Sequence, residues 1–289
     1  MTNSITTHVL AGGPARDAVL ATLRSRLSAA GSPTVVLATV LVGDDGPSQK
    51  YVASKHRTAN DIGISSVHVA LPASATQADV EARVTELVTD PQVHGILVQL
   101  PLPSHLNADS VLDLLPPEKD VDGLTSASMG RLMRGLPGHI GCTPLGVLRL
   151  LQHYNIPTAG KHAVVIGRST LVGLPLSVLL ARKGIDCTVT LAHSQSKDVA
   201  SLCRSADIIV SATGVARSIS AQHVSSGAVV IDVGISRDES GVVGDVDAAA
   251  VNGIASALTP MPGGTGLMTV ACLMENTVNA AVMQGVHIP

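Results

Sequence analysis

Aromatic side chains are almost absent from this chain, which has no Trp, no Phe and two Tyr among its 289 residues. Proteins that bind single-stranded nucleic acid stack its bases on aromatic rings. Charged residues make up only 14% of the chain, its net charge is −3, and no basic run occurs. We therefore expect no nucleic-acid partner and no attraction to an anionic membrane surface.

Cysteines and long apolar runs are also scarce. The four Cys stand far apart and lack C-x-x-C spacing, which is typical of reduced thiols in a cytoplasmic protein, and we assign no metal site. The first residues lack a basic region followed by an apolar one, so we expect no signal peptide. The apolar runs have the length of strands and are broken by Gly, Pro or His, so we expect no membrane span.

Helical and strand patterns alternate along a chain that has 45% hydrophobic residues and a mean hydropathy of +0.37. This is typical of an α/β fold whose sheets are covered on both faces. A mainly helical region at 104–160 separates two alternating blocks. We expect two α/β domains around a cleft, the second a Rossmann-type dinucleotide-binding domain, with ligands at the carboxyl ends of the strands.

The individual elements follow from periodicity and from the Gly and Pro positions. The predicted strands cover 34–43, 65–71, 95–103, 162–167, 186–192, 207–212 and 227–235. The predicted helices cover 15–30, 48–63, 77–90, 173–183, 197–204 and 266–284. The stretch "SRDESGVVGDVD" has the Gly and Asp content of a turn or a small hairpin.

The stretch "VVIGRSTLVGLP" runs from a buried strand into a helix through Gly167 and Gly173. Two glycines at these positions allow a tight turn, and the N-terminus of the following helix attracts a phosphate. Arg168 and Ser169 lie between them, and Ser169 can donate a hydrogen bond to a phosphate oxygen. Taken alone, the stretch is equally compatible with an ordinary strand-to-helix turn.

The next strand, in "CTVTLAHSQS", favours the nucleotide interpretation and indicates which nucleotide binds. NAD sites carry Asp or Glu after this strand to bond the ribose 2′-hydroxyl. Here His193 and Ser194 follow the strand instead. A hydroxyl at Ser194 with Arg168 nearby suits a 2′-phosphate, so we predict NADP as the cofactor.

Tyr51 and Lys55 lie four residues apart in a predicted helix, so their side chains share one face. Such a pair can orient a proton donor or polarise a substrate. Spacing alone favours an ordinary solvated lysine beside a half-buried tyrosine.

Two further polar positions lie where strands are predicted to end. Gln99 is the only polar side chain in the apolar run "GILVQLPLP". Because a buried amide needs partners, we expect Gln99 to bond a ligand or Lys55. In "EKDVDG", Asp120 and Asp122 alternate, so one can face a ligand while the other bonds backbone in the turn. A turn explains one of these carboxylates more readily than both.

These motifs occur together in one known family. The chain resembles bifunctional methylenetetrahydrofolate dehydrogenase/methenyltetrahydrofolate cyclohydrolase along nearly its whole length. The resemblance is carried by "VGDDGPSQKYVASKHRTANDIGI", "GILVQLPLP", "PEKDVDG", "CTPLGVLRLL", "VVIGRSTLVGLP", "TVTLAHSQS", "ADIIVSATG", "GAVVIDVGI", "GDVD" and "TPMPGG".

The resemblance implies NADP-dependent oxidation of 5,10-methylenetetrahydrofolate to the methenyl form and its hydrolysis to 10-formyltetrahydrofolate. It also implies a homodimer that works in one-carbon metabolism and purine biosynthesis. The family's catalytic residues fall on Lys55, Tyr51 and Gln99. Its substrate-binding residues fall on Asp122, Pro262, Gly263 and Gly264. Its cofactor positions fall on Gly167, Arg168, Ser169, Gly173, Ser194 and Ile235.

The predicted domains follow from this match. Residues 1–123 with 268–289 are expected to form a folate-binding catalytic domain, 140–267 the NADP-binding domain, and 124–139 a helical connection. The segment "TPMPGGTG" can form a substrate wall or a plain connection. The family's usual "PGGVGPMT" reads "PGGTGLMT" here, with Thr265 and Leu267, a change that removes a proline from the start of the last helix.

Three other functions remain compatible with the sequence. One is an enzyme with only one of the two activities. Another is an NADP-dependent shikimate-type dehydrogenase, which also has two α/β domains and uses a Lys–Asp pair on a hydroxyl. The third is a folate-binding relative without turnover.

Overall fold

The computed structural model describes residues 5–239 and 241–289. The chain forms two compact units. The first unit consists of Ala18–Cys142 and Val270–Pro289, and the second of Thr143–Thr269 and the described residues of Met1–Asp17. Both contain parallel sheets and helices, which confirms the predicted fold class.

The described residues form eleven strands, ten α-helices and one 3₁₀ turn. The strands are β1 His8–Val9, β2 Val36–Val42, β3 Ser65–Leu71, β4 Gly95–Val98, β5 His162–Ile166, β6 Thr188–Ala192, β7 Ile208–Ser211, β8 Val229–Asp232, β9 Ser236–Asp238, β10 Gly241–Val243 and β11 Ala257–Leu258. The helices are α1 Gly12–Ala29, α2 Gly46–Asp61, α3 Gln77–Thr89, α4 Ala108–Leu112, α5 Ser126–Arg134, α6 Cys142–His153, α7 Gly173–Ala181, α8 Val199–Arg204, α9 Ala248–Val251 and α10 Thr265–Met283, and the 3₁₀ turn is Ala221–His223.

The first unit is built on a parallel sheet of order β3-β2-β4. Every residue of the central strand β2 is buried, as its mostly apolar sequence predicts. Beside β4, Ile96 bridges to Asp120 in parallel, and the Ile96 N–H donates to the Lys119 carbonyl at 2.8 Å. The chain after β4 and the chain after Asp120 therefore reach the same edge of the sheet.

The second unit is built on a six-stranded parallel sheet of order β1-β11-β8-β7-β5-β6. Its inner strands β5, β7 and β8 are buried almost throughout. In this order β6 lies on one side of β5 and β7 on the other. The loops after β5 and β7 are therefore neighbours at the carboxyl edge of the sheet, where α/β sheets bind ligands.

The structure corrects some of the predicted boundaries. The strand predicted at 95–103 ends at Val98, because the prolines that follow lack the N–H that a strand ladder needs. The two-residue strands β1 and β11 and the short helix α9 are too short to show periodicity, and they were not predicted. The predicted hairpin is confirmed as β9 and β10, although its Ser240 lies outside the described residues.

Two helical glycines provide a matched test of packing. A Cβ at Gly130 in α5 meets nothing within 4 Å, whereas a Cβ at Gly146 in α6 lies 2.9 Å from the Met268 Cβ. Gly130→Ala should stabilise the protein by roughly 0.5–1 kcal/mol, because Ala loses less entropy in a helix. Gly146→Ala should destabilise it by roughly 1–3 kcal/mol through overpacking. Urea unfolding followed by circular dichroism measures both, and equal shifts would contradict the packing described for α6.

Candidate active site and nucleotide cavity

Lys55 belongs to the buried face of α2. The helix begins after Asp45, whose carboxylate accepts the Ser48 N–H at 2.9 Å and caps the first turn. Val52, Lys55 and Ala59 follow one another at helical spacing, and all three are buried. A lysine therefore occupies a position that an apolar residue would ordinarily fill.

The Lys55 side chain has two close neighbours. Its Nζ donates a hydrogen bond of 2.9 Å to Gln99 Oε1 and lies 4.3 Å from the centre of the Tyr51 ring. Lys55 is only 4% exposed, so the solvated lysine that spacing favoured is wrong. The predicted contact of Gln99 with Lys55 is confirmed, and the amide nitrogen of Gln99 donates to the Leu100 carbonyl at 2.7 Å.

The two aspartates of "EKDVDG" have different surroundings, as their alternation predicts. Asp120 is buried and accepts the N–H groups of Leu124 at 3.2 Å and Thr125 at 2.9 Å. It is the carboxylate that holds the turn. Asp122 is mostly buried and interacts electrostatically with Lys55. It is therefore the carboxylate available to a ligand beside the lysine.

Sequence reasoning missed the residues that hold Asp122. Cys142, treated only as a reduced thiol, is buried beside Asp122 and interacts with its carboxylate, and its thiol donates to the neighbouring Val121 carbonyl at 3.3 Å. Asn276 in α10 donates from Nδ2 to the carbonyls of Val121 at 2.8 Å and Ile140 at 2.9 Å. These contacts join residues far apart in the chain, so no local pattern signals them.

Burial shifts Lys55 and Asp122 toward their neutral forms. Desolvation lowers the pKa of Lys55, while the charges of Asp122 and Cys142 oppose that shift. Desolvation raises the pKa of Asp122, and the charge of Lys55 opposes that shift in turn. An amine and a carboxyl whose pKa values move toward each other can exchange a proton with a bound ligand near neutral pH.

In the second unit, β5 runs through Gly167 into the loop that precedes α7. Gly167 has φ of 116°, and a Cβ there would lie 2.2 Å from the Ala212 carbonyl oxygen. A Cβ at Gly173 would lie 1.8 Å from the Gly167 carbonyl oxygen. Only glycine fits either position, so the tight turn is confirmed. Ser169 Oγ accepts the Val172 N–H at 3.2 Å, which leaves the hydroxyl proton free for a phosphate oxygen.

A cavity of about 420 Å³ lies at this turn. The structure brings four of the predicted cofactor residues to its wall, namely Gly167, Arg168, Ser169 and Ser194. The full lining is Ile166, Gly167, Arg168, Ser169, His193, Ser194, Val199, Ala212, Thr213, Val215 and Ser218. It includes no carboxylate, so the wall fits a nucleotide that carries a 2′-phosphate. Sequence reasoning missed the contribution of the loop after β7.

The remaining predicted residues lie elsewhere in the second unit. Gly173 begins α7, and Ile235 is exposed after β8; neither lines the cavity. Pro262, Gly263 and Gly264 precede α10, and the Gly263 carbonyl accepts the Gly12 N–H at 2.7 Å.

Thr265 and Leu267, the two residues that depart from the family pattern, both make hydrogen bonds at the start of α10. The Thr265 hydroxyl donates to the Asp232 carbonyl at 2.9 Å. The Leu267 N–H donates to the Gly264 carbonyl at 3.2 Å, a bond that proline cannot make.

Within 5–239 and 241–289, no group of three or more His, Cys, Asp and Glu side chains is placed to hold a metal ion. In the same part of the chain, no helix is both long and apolar enough to cross a membrane.

The second α/β unit has a parallel sheet and a glycine turn that opens on a cavity without carboxylates. These features define an NAD(P)-binding protein. Residues 141–285 match the family model for the NAD(P)-binding domain of tetrahydrofolate dehydrogenase/cyclohydrolase, and residues 10–122 match the model for its catalytic domain. The chain therefore belongs to the tetrahydrofolate dehydrogenase/cyclohydrolase family, which confirms the predicted resemblance. The alternative of a shikimate-type dehydrogenase is wrong.

Individual relatives cover most of the chain. The bifunctional protein FolD of Lacticaseibacillus paracasei is 51% identical over 249 residues, which are 86% of this chain and 87% of that protein. The solved structure of the bifunctional enzyme FolD from Campylobacter jejuni is 40% identical with a TM-score of 0.93 and covers 96% of this chain and 99% of that one. The Trypanosoma brucei enzyme, solved with NADP cofactor and inhibitor, is 34% identical with a TM-score of 0.91 and covers 96% and 98%.

The coupling between Lys55 and Asp122 can be measured directly. Asp122→Asn should lower the pKa of Lys55 further, because the favourable carboxylate charge is lost while the burial remains. A ¹³Cε-lysine NMR titration reports the midpoint. The control is Asp61→Asn, an exposed carboxylate at the end of the same helix, which should leave the midpoint unchanged. An unchanged or raised midpoint in Asp122→Asn would show that the two groups are not coupled.

Proposed function

We propose that this protein oxidises 5,10-methylenetetrahydrofolate to 5,10-methenyltetrahydrofolate with NADP and then hydrolyses the product to 10-formyltetrahydrofolate. The observation that carries the proposal is the buried Lys55, bonded to Gln99 at 2.9 Å and electrostatically coupled to Asp122. Membership in a family of dehydrogenase/cyclohydrolases supports the same reaction pair.

The cavity of the second unit fits the cofactor. NADP, when bound, accepts a hydride at the nicotinamide C4. The Gly167 turn would let backbone approach the phosphates, and the Ser169 hydroxyl would donate to them. The Arg168 guanidinium would bind the 2′-phosphate, and the Ser194 hydroxyl lines the same cavity. Gly173 opens the helix behind the turn, and Ile235 is proposed as a further cofactor contact by resemblance.

Asp122 binds the folate in this scheme. A pterin-like ring presents paired N–H donors along its amino-pyrimidinone edge, which a carboxylate can accept together. Burial raises the pKa of this carboxyl, and the ammonium form of Lys55 opposes that rise. By resemblance, we assign Pro262, Gly263 and Gly264 to the wall against the flat substrate.

Oxidation requires only that substrate and cofactor be held in contact, because the hydride leaves the methylene carbon directly. Hydrolysis requires a proton acceptor, because water loses a proton when it attacks the methenyl carbon; the bond from that carbon to N5 then breaks as the proton of the new hydroxyl passes to N5, which gives the 10-formyl product. Lys55 takes this role, since desolvation lowers its pKa and increases its neutral fraction. Gln99 fixes its position, and Tyr51 covers it on one side.

The test follows both steps in one cuvette. Purified protein receives methylenetetrahydrofolate with NADP or NAD, and reduced cofactor and methenyl product are read at two wavelengths. NADPH formation without lasting methenyl accumulation supports the proposal. Methenyl build-up would leave only the dehydrogenase. Folate binding without any absorbance change would indicate a non-enzymatic relative.

A matched lysine pair tests the hydrolytic step. Lys55→Met should reduce cyclohydrolase turnover by about 100-fold or more, because it removes the acid–base group. Lys50→Met changes an exposed lysine of the same helix and should have no effect. Normal cyclohydrolase turnover in Lys55→Met would remove Lys55 from the mechanism.

Cofactor choice depends on Arg168. Arg168→Ala should raise the KM for NADP roughly 10- to 100-fold, because a charge-assisted hydrogen bond to the 2′-phosphate is lost. The KM for NAD, which lacks that phosphate, should change little. Arg182→Ala, beyond the end of α7, is the control. Equal effects on both cofactors would contradict the assignment of the 2′-phosphate to Arg168.

We further propose the domains 1–123 with 268–289 for folate and 140–267 for NADP, joined by 124–139. The family matches at 10–122 and 141–285 support this division, whereas the compact units place the described residues up to Asp17 in the second unit and 124–142 in the first. We propose a cytoplasmic location, because the four cysteines, all among the described residues, are buried and outside disulfides. We also propose, from the family resemblance, a homodimer that serves one-carbon metabolism and purine biosynthesis.

A further inference from the structure

The loop after β7 is wrapped around one buried carboxylate, that of Asp245. Asp245 belongs to the "GDVD" stretch and has no exposed surface. Its Oδ2 accepts the Ser211 hydroxyl at 3.0 Å and the N–H groups of Thr213 at 2.6 Å and Gly214 at 3.3 Å. One oxygen thus gathers three donors from four consecutive residues.

The backbone of Asp245 holds the other end of the same segment. Its carbonyl accepts the Ile219 N–H at 2.9 Å and the Ser218 hydroxyl at 3.4 Å. Next to it, the Gly244 carbonyl accepts the Arg217 N–H at 3.0 Å. Between these contacts, Thr213, Val215 and Ser218 line the nucleotide cavity. One wall of the cavity is therefore attached at both ends to Asp245 and its neighbour.

A second carboxylate fixes Asp245 from behind. Asp232 accepts the N–H groups of Asp245 and Val246, both at 3.0 Å, and of Gly234 at 3.1 Å. Burial raises the pKa of Asp232 to about 6, although these three N–H groups favour its charged form.

Glycines pack tightly against both carboxylates. A Cβ at Gly234 would lie 1.8 Å from Asp245 Oδ1, and a Cβ at Gly244 would lie 1.9 Å from Asp232 Oδ2. A side chain at either glycine would therefore collide with the carboxylate that it faces.

The burial of the Asp245 carboxylate costs free energy, and tight packing alone does not explain why an aspartate stands here. Asp245 Oδ1 is buried without a hydrogen-bond partner among the described residues, and an unsatisfied buried carboxylate oxygen is unfavourable. An amide or hydroxyl would cost less to bury. It would also accept fewer and weaker hydrogen bonds than the three that Oδ2 receives.

We propose that Asp245 is a positioning residue for the cofactor: its carboxylate holds residues 211–219 in the conformation that forms the wall of the NADP cavity. The inference rests on the proposed function only in taking this cavity as the NADP site. Asp245 acts through the wall, so its loss should weaken cofactor binding and leave cofactor-independent chemistry intact.

The experiment compares two aspartates of the same motif. Asp245→Asn should raise the Kd for NADPH, measured by its fluorescence, roughly tenfold or more, because charge-assisted bonds are lost. The KM for NADP should rise with it, while hydrolysis of methenyltetrahydrofolate without cofactor stays within about twofold of the wild-type rate. Asp247→Asn is the control: Asp247 caps α9 by accepting the Ala250 N–H at 3.1 Å, a bond that the Asn side-chain oxygen can also accept, so the Kd should not change.

The outcomes are distinct. A wild-type Kd in Asp245→Asn, or equal losses of binding and cofactor-free hydrolysis, would overturn the proposal. If Asp245→Asn fails to fold, Ser211→Ala removes one of the three donors and should still raise the Kd about threefold; an unchanged Kd there would also overturn the proposal. Wild-type protein that binds NADPH but converts no folate would refute the proposed function while leaving this test valid.

Discussion

The buried bond between Lys55 and Gln99 is the interaction on which the first unit's chemistry depends. Gln99 Oε1 accepts a hydrogen bond but carries no charge, so it positions the amine without neutralising it. Burial then disfavours the ammonium, and the charge of Asp122 opposes that effect. A carboxylate in place of Gln99 would hold the proton on Lys55 firmly; an amide leaves it available for transfer.

The parallel sheet explains why these residues meet. Gln99 follows the last residue of β4, and Asp122 follows the stretch that bridges β4 at Asp120. Both polar side chains therefore stand at the carboxyl edge of the sheet, where parallel strands leave room for ligands. The buried face of α2 brings Lys55 to the same edge. The site is a consequence of strand direction, and the loops only complete it.

Sequence reasoning succeeded where a signal was local. The bounds of β3 matched residue by residue, and those of α2 and α3 came within two residues, because each has clear periodicity or a cap. Gln99 stood out because it interrupts an apolar run. The burial of Lys55 could not be predicted, because a lysine four residues from a tyrosine is usually solvated. The contacts of Cys142 and Asn276 likewise depend on tertiary structure.

The second unit shows how carboxylates can serve an anion-binding fold without repelling the anion. Asp232 and Asp245 are buried, and between them they receive five backbone N–H groups and a hydroxyl. These donors offset the negative charge, because the two carboxylates face backbone N–H groups and not the cavity. The cavity wall itself presents Arg168, hydroxyls and backbone. Its preference for a phosphorylated ribose therefore depends on where the acidic residues are directed as much as on which residues line the wall.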